Sequence, residues 1–195
     1  GFCASFVTDE RGQRKKGKSG AKTVEDFPAI PDVSIPDVQT PFGILVTGIG
    51  GTGVITIGQI LGMAAHLEDK GVSVLDMSGL AQKYGAVMSH VKIAARAADV
   101  NVARLGTGDA RLVIGCDLVV TASGDALDKM HAQKTRALVN GTTSPTAAFV
   151  KNPDWQLPGS DLQQDIREAG GRDAEFIPAA ELATALMGDS IATNM

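Results

Sequence analysis

Apolar positions follow two clear periods in the part of the chain that begins at Phe42. A short apolar, β-branched run at residues 43–47 predicts a buried strand. From Val54 to Leu67 the apolar residues recur every three or four positions, which predicts an amphipathic helix. A second β-branched run at residues 72–76 follows a glycine that ends this helix. We therefore expect a β-α-β unit whose two strands are parallel neighbours.

The same patterns continue downstream and indicate alternating strands and helices. Residues 77–86 are predicted to form a loop or short helix, and residues 141–158 a loop. The other predicted elements are, in chain order, a strand at 87–94, a strand at 116–121, a helix at 124–136, a strand at 137–140, a helix at 161–169, a strand at 175–178 and a helix at 180–187. This alternation predicts an α/β fold, an open, mostly parallel, Rossmann-like sheet with helices on both faces.

The first 41 residues show neither period. A basic run from Arg11 to Lys18 is interpreted as solvated linker. The prolines that follow, at positions 28, 31, 36 and 41, forbid a regular helix and favour an extended connector. We interpret residues 1–41 as the end of a preceding domain plus an interdomain linker. The chain begins without Met and stops in mid-pattern, so we expect residues 42–195 to be a C-terminally truncated domain of a longer polypeptide.

The composition excludes several classes of function. The net charge of -4 gives no broad attraction to nucleic acid. No run of 18 apolar residues predicts a transmembrane helix, and two cysteines do not form a secreted disulfide framework. We expect a cytoplasmic protein with neither a nucleic-acid nor a membrane partner. The chain has 23 glycines among its 195 residues, which is above the usual share of about 7%. This excess indicates tight turns.

A glycine-rich loop joins the first predicted strand to the first predicted helix. In Gly48-Ile49-Gly50-Gly51-Thr52-Gly53 the first, third and sixth residues fit G-x-G-x-x-G, a motif that lets phosphates approach the backbone at a helix start. Thr52 is a candidate helix cap or phosphate donor. Asp76 ends the second strand, where a ribose-binding acid stands in dinucleotide folds. Alternatively, the glycines only permit close packing and the acid only caps the next loop.

Several stretches of the chain together are more specific than the glycine loop alone. They are residues 1–8, 48–53, 75–76, 79–83, 85–91 and 186–195. This combination resembles the gamma-type domain of the 2-oxo-acid:ferredoxin oxidoreductases, and within that family the fused bacterial indolepyruvate:ferredoxin oxidoreductase. Tyr84 departs from the pattern, because a glycine is expected there. The resemblance implies that residues 1–41 end a thiamine-diphosphate and iron–sulfur region, and that residues 42–195 form the gamma-type pyruvate/ketoisovalerate oxidoreductase catalytic domain.

The resemblance also implies a reaction. A 2-oxo acid, such as indolepyruvate or another aryl or branched acid, would be oxidatively decarboxylated to an acyl-CoA while electrons pass to ferredoxin. Thiamine diphosphate, Mg and [4Fe-4S] clusters would be held by other domains of the parent enzyme. The implied partners are those thiamine-diphosphate domains, ferredoxin and coenzyme A, within a homo-oligomer. The domain would be inactive alone, in keeping with a sequence that lacks a thiamine-diphosphate motif and a cysteine cluster.

The resemblance assigns binding roles rather than catalytic ones. The glycine loop would hold the phosphates of coenzyme A. Lys83 would meet a phosphate or carboxylate, unless it is simply solvated, and Cys3 is either one cluster ligand or an inert thiol. We expect Cys116 to pack in the core, and a structural role for His90 in preference to general-base catalysis. Two alternatives stay open: an NAD-dependent Rossmann dehydrogenase and a non-catalytic nucleotide-binding module.

Overall fold

One six-stranded sheet organises the chain. A computed structural model describes residues 40–79, 85–142, 159–170 and 174–188. Its strands are β1 Phe42–Ile49, β2 Gly71–Ser78, β3 Ala86–Ala94, β4 Ala110–Gly115, β5 Arg136–Asn140 and β6 Ala174–Ile177. Its helices are α1 Val54–Leu67, α2 Leu118–Thr121, α3 Gly124–Leu127, α4 Gly159–Gly170 and α5 Ala179–Met187, with a 3₁₀ turn at Ala97–Asp99. The strand order is β2-β3-β1-β4-β5-β6, and the predicted α/β fold is confirmed.

The third strand is inserted between the first two and runs against both. His90 of β3 lies opposite Leu45 of β1 on one side and Leu75 of β2 on the other, in antiparallel register. The expected parallel pairing of β1 and β2 is therefore wrong, although the two strands point the same way. Only residues 79–85 separate β2 from β3, and so short a connection suits antiparallel neighbours, whereas a parallel pair needs a long crossover. The strands β1, β4, β5 and β6 are parallel to their neighbours in this part of the sheet.

Alternating residues of β1 enter two separate apolar cores. Ile44 and Val46 pack on the side of α1, together with Val54. Leu45 packs on the opposite side with residues of α2 and α4, among them Leu118 and Ile166. The sheet is thus buried on both faces at its centre, as a mainly parallel sheet requires.

The predicted strand at residues 116–121 is wrong, because the chain turns there into the short helix α2. The Asp117 carboxylate accepts a 2.9 Å hydrogen bond from the N–H of Val120 and so caps this helix. An apolar run of this length fits a buried helix as well as a strand, and the cap decides between them. The neighbouring strand β4 was not predicted, since the exposed Arg111 interrupts its short apolar run.

The helix predicted at residues 124–136 is also wrong beyond its first turn. Only Gly124–Leu127 is helical, and turns lead from there to β5. The Thr135 hydroxyl accepts a 2.8 Å hydrogen bond from the N–H of His131 and donates a 2.5 Å bond to the Ala110 carbonyl. These bonds fix the turn against the start of β4 and replace the helix. The elements predicted near residues 54–67, 87–94, 137–140, 161–169, 175–178 and 180–187 are confirmed.

Candidate functional site

Gly48 is the second-last residue of β1, and its lack of a side chain lets the following loop fold back. A Cβ at this position would collide with the Thr52 hydroxyl and lie 2.8 Å from Cγ2 of Val54 and 3.0 Å from Cβ of Cys116. Real Cβ atoms do not approach other atoms so closely, so this glycine allows α1 and the β4–α2 connection to pack against β1. The packing role in the predicted motif therefore falls on its first glycine.

Two glycines of the loop adopt backbone angles that other residues avoid. Gly51 has φ 99° and Gly53, the residue before α1, has φ 82°. Left-handed angles of this kind cost other L-residues about 1–2 kcal/mol each. Gly53 thus turns the chain into the helix, while no other group lies within 4 Å of a Cβ built on Gly51.

Gly50 faces open space and is held in place through its backbone. A Cβ built on it would meet no atom closer than 3.8 Å, the carbonyl oxygen of Gly85. Its N–H donates a 2.9 Å hydrogen bond to that same oxygen, next to the start of β3. This geometry leaves the outer side of Gly50 free for the close approach of a ligand.

The first turn of α1 presents a row of unpaired backbone donors. The N–H groups of Gly51, Gly53, Val54, Ile55 and Thr56 make no hydrogen bond to any of the described residues. The first internal bond of the helix runs from the N–H of Ile57 to the carbonyl of Gly53. The first turn carries no acidic side chain, so α1 itself places no negative charge at the positive end of its dipole. Such a helix start binds anions such as phosphates.

These donors border an open cavity of about 310 Å³. It is lined by Ile49, Gly50, Gly51, Gly53, Val54, Ile55, Thr56 and Val87. The glycine loop and the helix start form most of its wall, and β3 contributes only Val87. The cavity thus exists because β3 lies next to β1, and it combines backbone donors with a small apolar wall.

Thr52 does not cap α1, which corrects one of its two predicted roles. Its hydroxyl donates a 2.7 Å hydrogen bond to the carbonyl of Ile49, and its own N–H donates a 3.0 Å bond to the same oxygen. The residue before the helix is Gly53, whose lack of a side chain excludes a side-chain cap. Thr52 therefore stabilises the glycine loop internally, through two hydrogen bonds to the Ile49 carbonyl.

Asp76 lies away from the glycine loop. It is exposed on β2, opposite Ser89 of β3, and Ser89 in turn lies opposite Val46 of β1. Two strand spacings of about 4.8 Å each therefore separate Asp76 from β1. In the dinucleotide fold the strand that carries the ribose-binding acid is a direct neighbour of β1, and that arrangement is not reproduced. Lys83 and Cys3 lie outside the described residues.

The connection from β4 to α2 lies beside the glycine loop, a proximity that was not predicted from the sequence. The N–H of Cys116 donates a 2.7 Å hydrogen bond to the carbonyl of Thr47, at the end of β1. The hydroxyl of the same Thr47 shares a buried 2.8 Å hydrogen bond with the hydroxyl of Thr121 on α2. Burial and the nearby Asp117 raise the pKa of the Cys116 thiol to about 11, so it stays protonated near pH 7. Asp117 followed by an apolar run is a typical helix-cap pattern, and it could have predicted that the chain turns into a helix here.

His90 is buried on the sheet face opposite α1, where its ring accepts a hydrogen bond. The N–H of Leu105 lies 3.3 Å from its Nδ1, and the side chain is only 1% exposed. Burial lowers the pKa of His90, and the charges of Arg104, Lys129 and Lys92 lower it further. Neutral imidazole is thereby favoured, in the structural role expected for it.

The residue pattern of a known family extends over most of the chain. Residues 43–195 match the family of pyruvate ferredoxin/flavodoxin oxidoreductases. The chain belongs to this family. The resemblance seen in the motifs of the sequence is thereby confirmed, and the glycine loop lies within the matched region.

Curated relatives of the chain are archaeal proteins. Indolepyruvate oxidoreductase subunit IorB of Methanothermobacter thermautotrophicus is 26% identical over 130 residues, which cover 67% of this chain and 63% of the relative. The subunit of the same name from Thermococcus kodakarensis is 31% identical over 78 residues, 40% of this chain and 37% of the relative. The chain spans less than two thirds of the length of either relative.

Two solved structures share the fold. Pyruvate oxidoreductase subunit PORC of Thermotoga maritima superposes with a TM-score of 0.52 at 18% identity, over 79% of this chain and 71% of that chain. The second is the 2-oxoglutarate:ferredoxin oxidoreductase of Magnetococcus marinus with 2-oxoglutarate, coenzyme A and succinyl-CoA bound. It gives a TM-score of 0.53 at 17% identity, over 80% of this chain and 23% of that one. At these identities the likeness shows a common fold.

In the described parts of the chain, no three His, Cys, Asp or Glu side chains lie close enough together to hold a metal ion. None of the described helices has the length and apolar character needed to cross a membrane.

Proposed function

We propose that this chain is the gamma-type part of a 2-oxo-acid:ferredoxin oxidoreductase and that its glycine loop holds phosphates of coenzyme A. The parent enzyme would decarboxylate a 2-oxo acid, transfer the acyl group to coenzyme A and pass two electrons to ferredoxin. Indolepyruvate, or another aryl or branched 2-oxo acid, is the proposed substrate class. Its support comes from the names of the archaeal relatives.

One observation carries the coenzyme A proposal. The N–H groups of Gly51, Gly53, Val54, Ile55 and Thr56 make no hydrogen bond to any described residue, and they lie beside an open cavity. Backbone donors at a helix start recognise a phosphate by its negative charge and its several acceptor oxygens. The lining residues bring no carboxylate that would repel the ligand. Gly50 adds a point where the ligand can approach the backbone without meeting a side chain.

The size of the cavity suits part of coenzyme A. About 310 Å³ lies at the lower end of the range of about 300–1,000 Å³ found for small-molecule sites. The phosphate groups fit against the helix start, and the remainder of the ligand would extend past the loop. Lys83, which follows β2 in the chain, is proposed to meet a phosphate oxygen with its ammonium group.

The remaining chemistry is assigned to other parts of the parent enzyme. Thiamine diphosphate with Mg would supply decarboxylation, and [4Fe-4S] clusters would carry the electrons. Cys3 is proposed as one cluster ligand that completes its set with cysteines of the preceding region. We further propose that residues 1–41 link that region to the gamma-type domain, in a cytoplasmic homo-oligomer that meets ferredoxin.

A nicotinamide dinucleotide is the weaker candidate ligand for the same loop. Its recognition rests on an acid at the end of the strand next to β1, about 20 residues beyond the glycines. The neighbouring strand on that side is β3, which is antiparallel to β1 and places Val87 and Ala86, rather than an acid, opposite Gly48 and Ile49. Asp76 is one strand further away.

Isothermal titration of the full chain with coenzyme A tests the proposal. Gly50→Ala keeps the fold, since its Cβ has room, but it projects a methyl group toward the ligand. We expect coenzyme A affinity to fall at least about tenfold, equivalent to about 1.4 kcal/mol. Gly124→Ala is the matched control, because a Cβ on that exposed glycine meets no atom within 4 Å and the residue lies on α3, away from the loop.

Each outcome separates the candidates. Unchanged affinity of Gly50→Ala for coenzyme A would place the ligand elsewhere. Binding of NADH in place of coenzyme A would favour a dinucleotide site. In the assembled parent enzyme, the same substitution should raise KM for coenzyme A and leave KM for the 2-oxo acid unchanged, because the acid binds at thiamine diphosphate.

A further inference from the structure

Strand β2 forms one edge of the described sheet. Among the described strands it pairs only with β3, in a register of eight residue pairs without a shift. The strand at the opposite edge, β6, has only four residues. Natural proteins keep edge strands short or protect them with proline, lysine or a bulge, because their free N–H and C=O groups pair with other strands. The eight residues Gly71–Ser78 include no proline, lysine or bulge, so this edge is open to pairing.

One hydrogen bond shows which backbone groups of β2 point out of the sheet. The N–H of Gly79 donates a 3.0 Å bond to the carbonyl of Ala86, which makes these two residues a hydrogen-bonded pair of the antiparallel ladder. Such pairs alternate along the ladder, so the odd-numbered residues of β2 bond to β3. The N–H and C=O groups of Val72, Val74 and Asp76 therefore point away from β3, toward the open edge.

The side chains along this edge form a pattern that is complementary to itself. Lys70, which directly precedes β2, and Asp76 are both exposed, and Ser73 lies midway between them. When two such segments pair antiparallel about a two-fold axis at Ser73, Val72 of each copy meets Val74 of the other. Lys70 of each copy then lies opposite Asp76 of the other, which is a favourable cross-strand pair. The two Asp76 carboxylates stay about 20 Å apart along the strands and do not repel each other.

We propose that two copies of the chain pair through β2 in this register and join their sheets into one. Val72 of each copy exchanges two backbone hydrogen bonds with Val74 of the other, and an ion pair flanks them at each end. Neither Lys70 nor Asp76 forms an ion pair with a described residue, so both charges are available. This pairing gives the homo-oligomer proposed above a defined interface, and it is independent of the ligand that the glycine loop binds.

Helix α1 enlarges the contact on one face of the joined sheet. A Cβ on Gly62 would lie 2.8 Å from Cγ2 of Val74, so this part of α1 lies beside the proposed axis. Ile57 and Leu61 pack with residues of β4, whereas Met63 is on the other flank of the helix and is 59% exposed. A strip of β2 and α1 about 27 Å long and about 20 Å deep covers about 500 Å² of each copy. Specific interfaces of this size are weak, so the dimer should dissociate on dilution.

Exchange of the two charges tests the pairing. Sedimentation equilibrium of the full chain measures the dissociation constant of the dimer. Lys70→Asp puts an acid opposite Asp76 at both ends, and we expect it to raise the dissociation constant at least about fivefold. Lys70→Asp with Asp76→Lys restores opposite charges and should return the constant to within about twofold of the original. The matched control is Lys134→Asp, the same change at an exposed residue before β5, and it should leave the constant unchanged.

A disulfide locates the axis. In a chain with Cys3→Ser and Cys116→Ala, Ser73→Cys puts the one thiol at the axis. The two Cα atoms of this non-hydrogen-bonded pair would be about 4.5 Å apart, a separation that a disulfide bridges. Met77→Cys is the control, because Met77 lies on the same face of β2 and is 38% exposed. Its counterpart would be about 27 Å away, so we expect air oxidation to link the Ser73→Cys chains and not the Met77→Cys chains.

The outcomes separate this interface from others. Sedimentation as a monomer at concentrations up to about 1 mM would overturn the proposal. A dimer that does not respond to Lys70→Asp, or that the double exchange does not restore, forms through another surface and overturns it as well. Faster cross-linking of Met77→Cys than of Ser73→Cys has the same meaning. Lys70 does not line the cavity beside the glycine loop, so Lys70→Asp should bind coenzyme A as the unmodified chain does.

Discussion

The backbone N–H of Gly50 donates a 2.9 Å hydrogen bond to the carbonyl oxygen of Gly85. This bond ties the centre of the glycine loop to the start of β3, a strand that does not stand beside β1 in the predicted arrangement. The N–H of the second glycine of the motif is therefore used inside the protein. The donors left for a ligand are those of Gly51 and of the start of α1, so the phosphate proposed above would lie closer to the helix than to the strand.

The first prediction concerns the packing role of Gly48. Gly48→Ala should lower the free energy of unfolding by about 1–3 kcal/mol, as overpacking does in tight cores. Its Cβ would collide with the Thr52 hydroxyl and crowd Val54 and Cys116. Urea unfolding followed by circular dichroism measures the change. Gly124→Ala, where a Cβ meets nothing within 4 Å, should stay within about 0.5 kcal/mol of the unmodified chain.

A second prediction separates backbone strain from crowding in the same loop. At Gly53, φ is 82°, so Gly53→Ala should cost about 1–2 kcal/mol in stability. Gly53→Asn should cost less, because Asn adopts left-handed angles more readily than Ala. The two variants are compared by urea unfolding under one set of conditions. Equal losses for Ala and Asn would mean that φ at this position does not determine the cost.

The local part of the fold could be predicted from the sequence. Both ends of α1 follow from the apolar period of residues 54–67 and from the glycines on either side. The position of the glycine loop follows for the same reason, because strand, turn and helix are encoded in adjacent residues. These features depend on neighbours in the chain, which is the information that one sequence holds.

The long-range part could not be predicted in the same way. An apolar run such as residues 87–94 fits any place in a sheet, so the insertion of β3 between β1 and β2 leaves no local sign. The same insertion moves Asp76 away from the loop and makes Val87 part of the cavity wall. The helix cap by Asp117 was available as a signal, but the apolar run that follows it equally favoured a strand.

The third prediction concerns acid stability and His90. Because burial lowers the pKa of His90 in the folded chain, the unfolded chain takes up a proton first as the pH falls through about 6.5. Stability should therefore decrease between pH 7 and pH 5. Urea unfolding at a series of pH values should show a smaller decrease for His90→Gln, whose amide oxygen can still accept from the N–H of Leu105. The exposed His66 provides the control variant His66→Gln, which should keep the original pH dependence. Parallel pH profiles for the unmodified chain and His90→Gln would show that His90 does not cause the loss of stability at low pH.

The last prediction concerns Cys116, whose thiol lies where β4 meets the glycine loop. In a Cys3→Ser variant it is the one remaining thiol of the chain. Its pKa of about 11, against a reference of 9.0, leaves about 100-fold less thiolate in the folded chain at pH 8. Reaction with iodoacetamide should therefore be at least about 100-fold slower in the folded chain than in urea, since burial adds to the loss of thiolate. The raised pKa of Cys116 also contributes to the loss of stability at alkaline pH. Above pH 9 the unfolded thiol ionises before the folded one, so this contribution to stability is present below pH 9 and is lost as the pH rises toward 11. Cys116→Ala in the same background should lack that part of the decline, and fast labelling of the folded chain at pH 8 would show that the thiol is not protected.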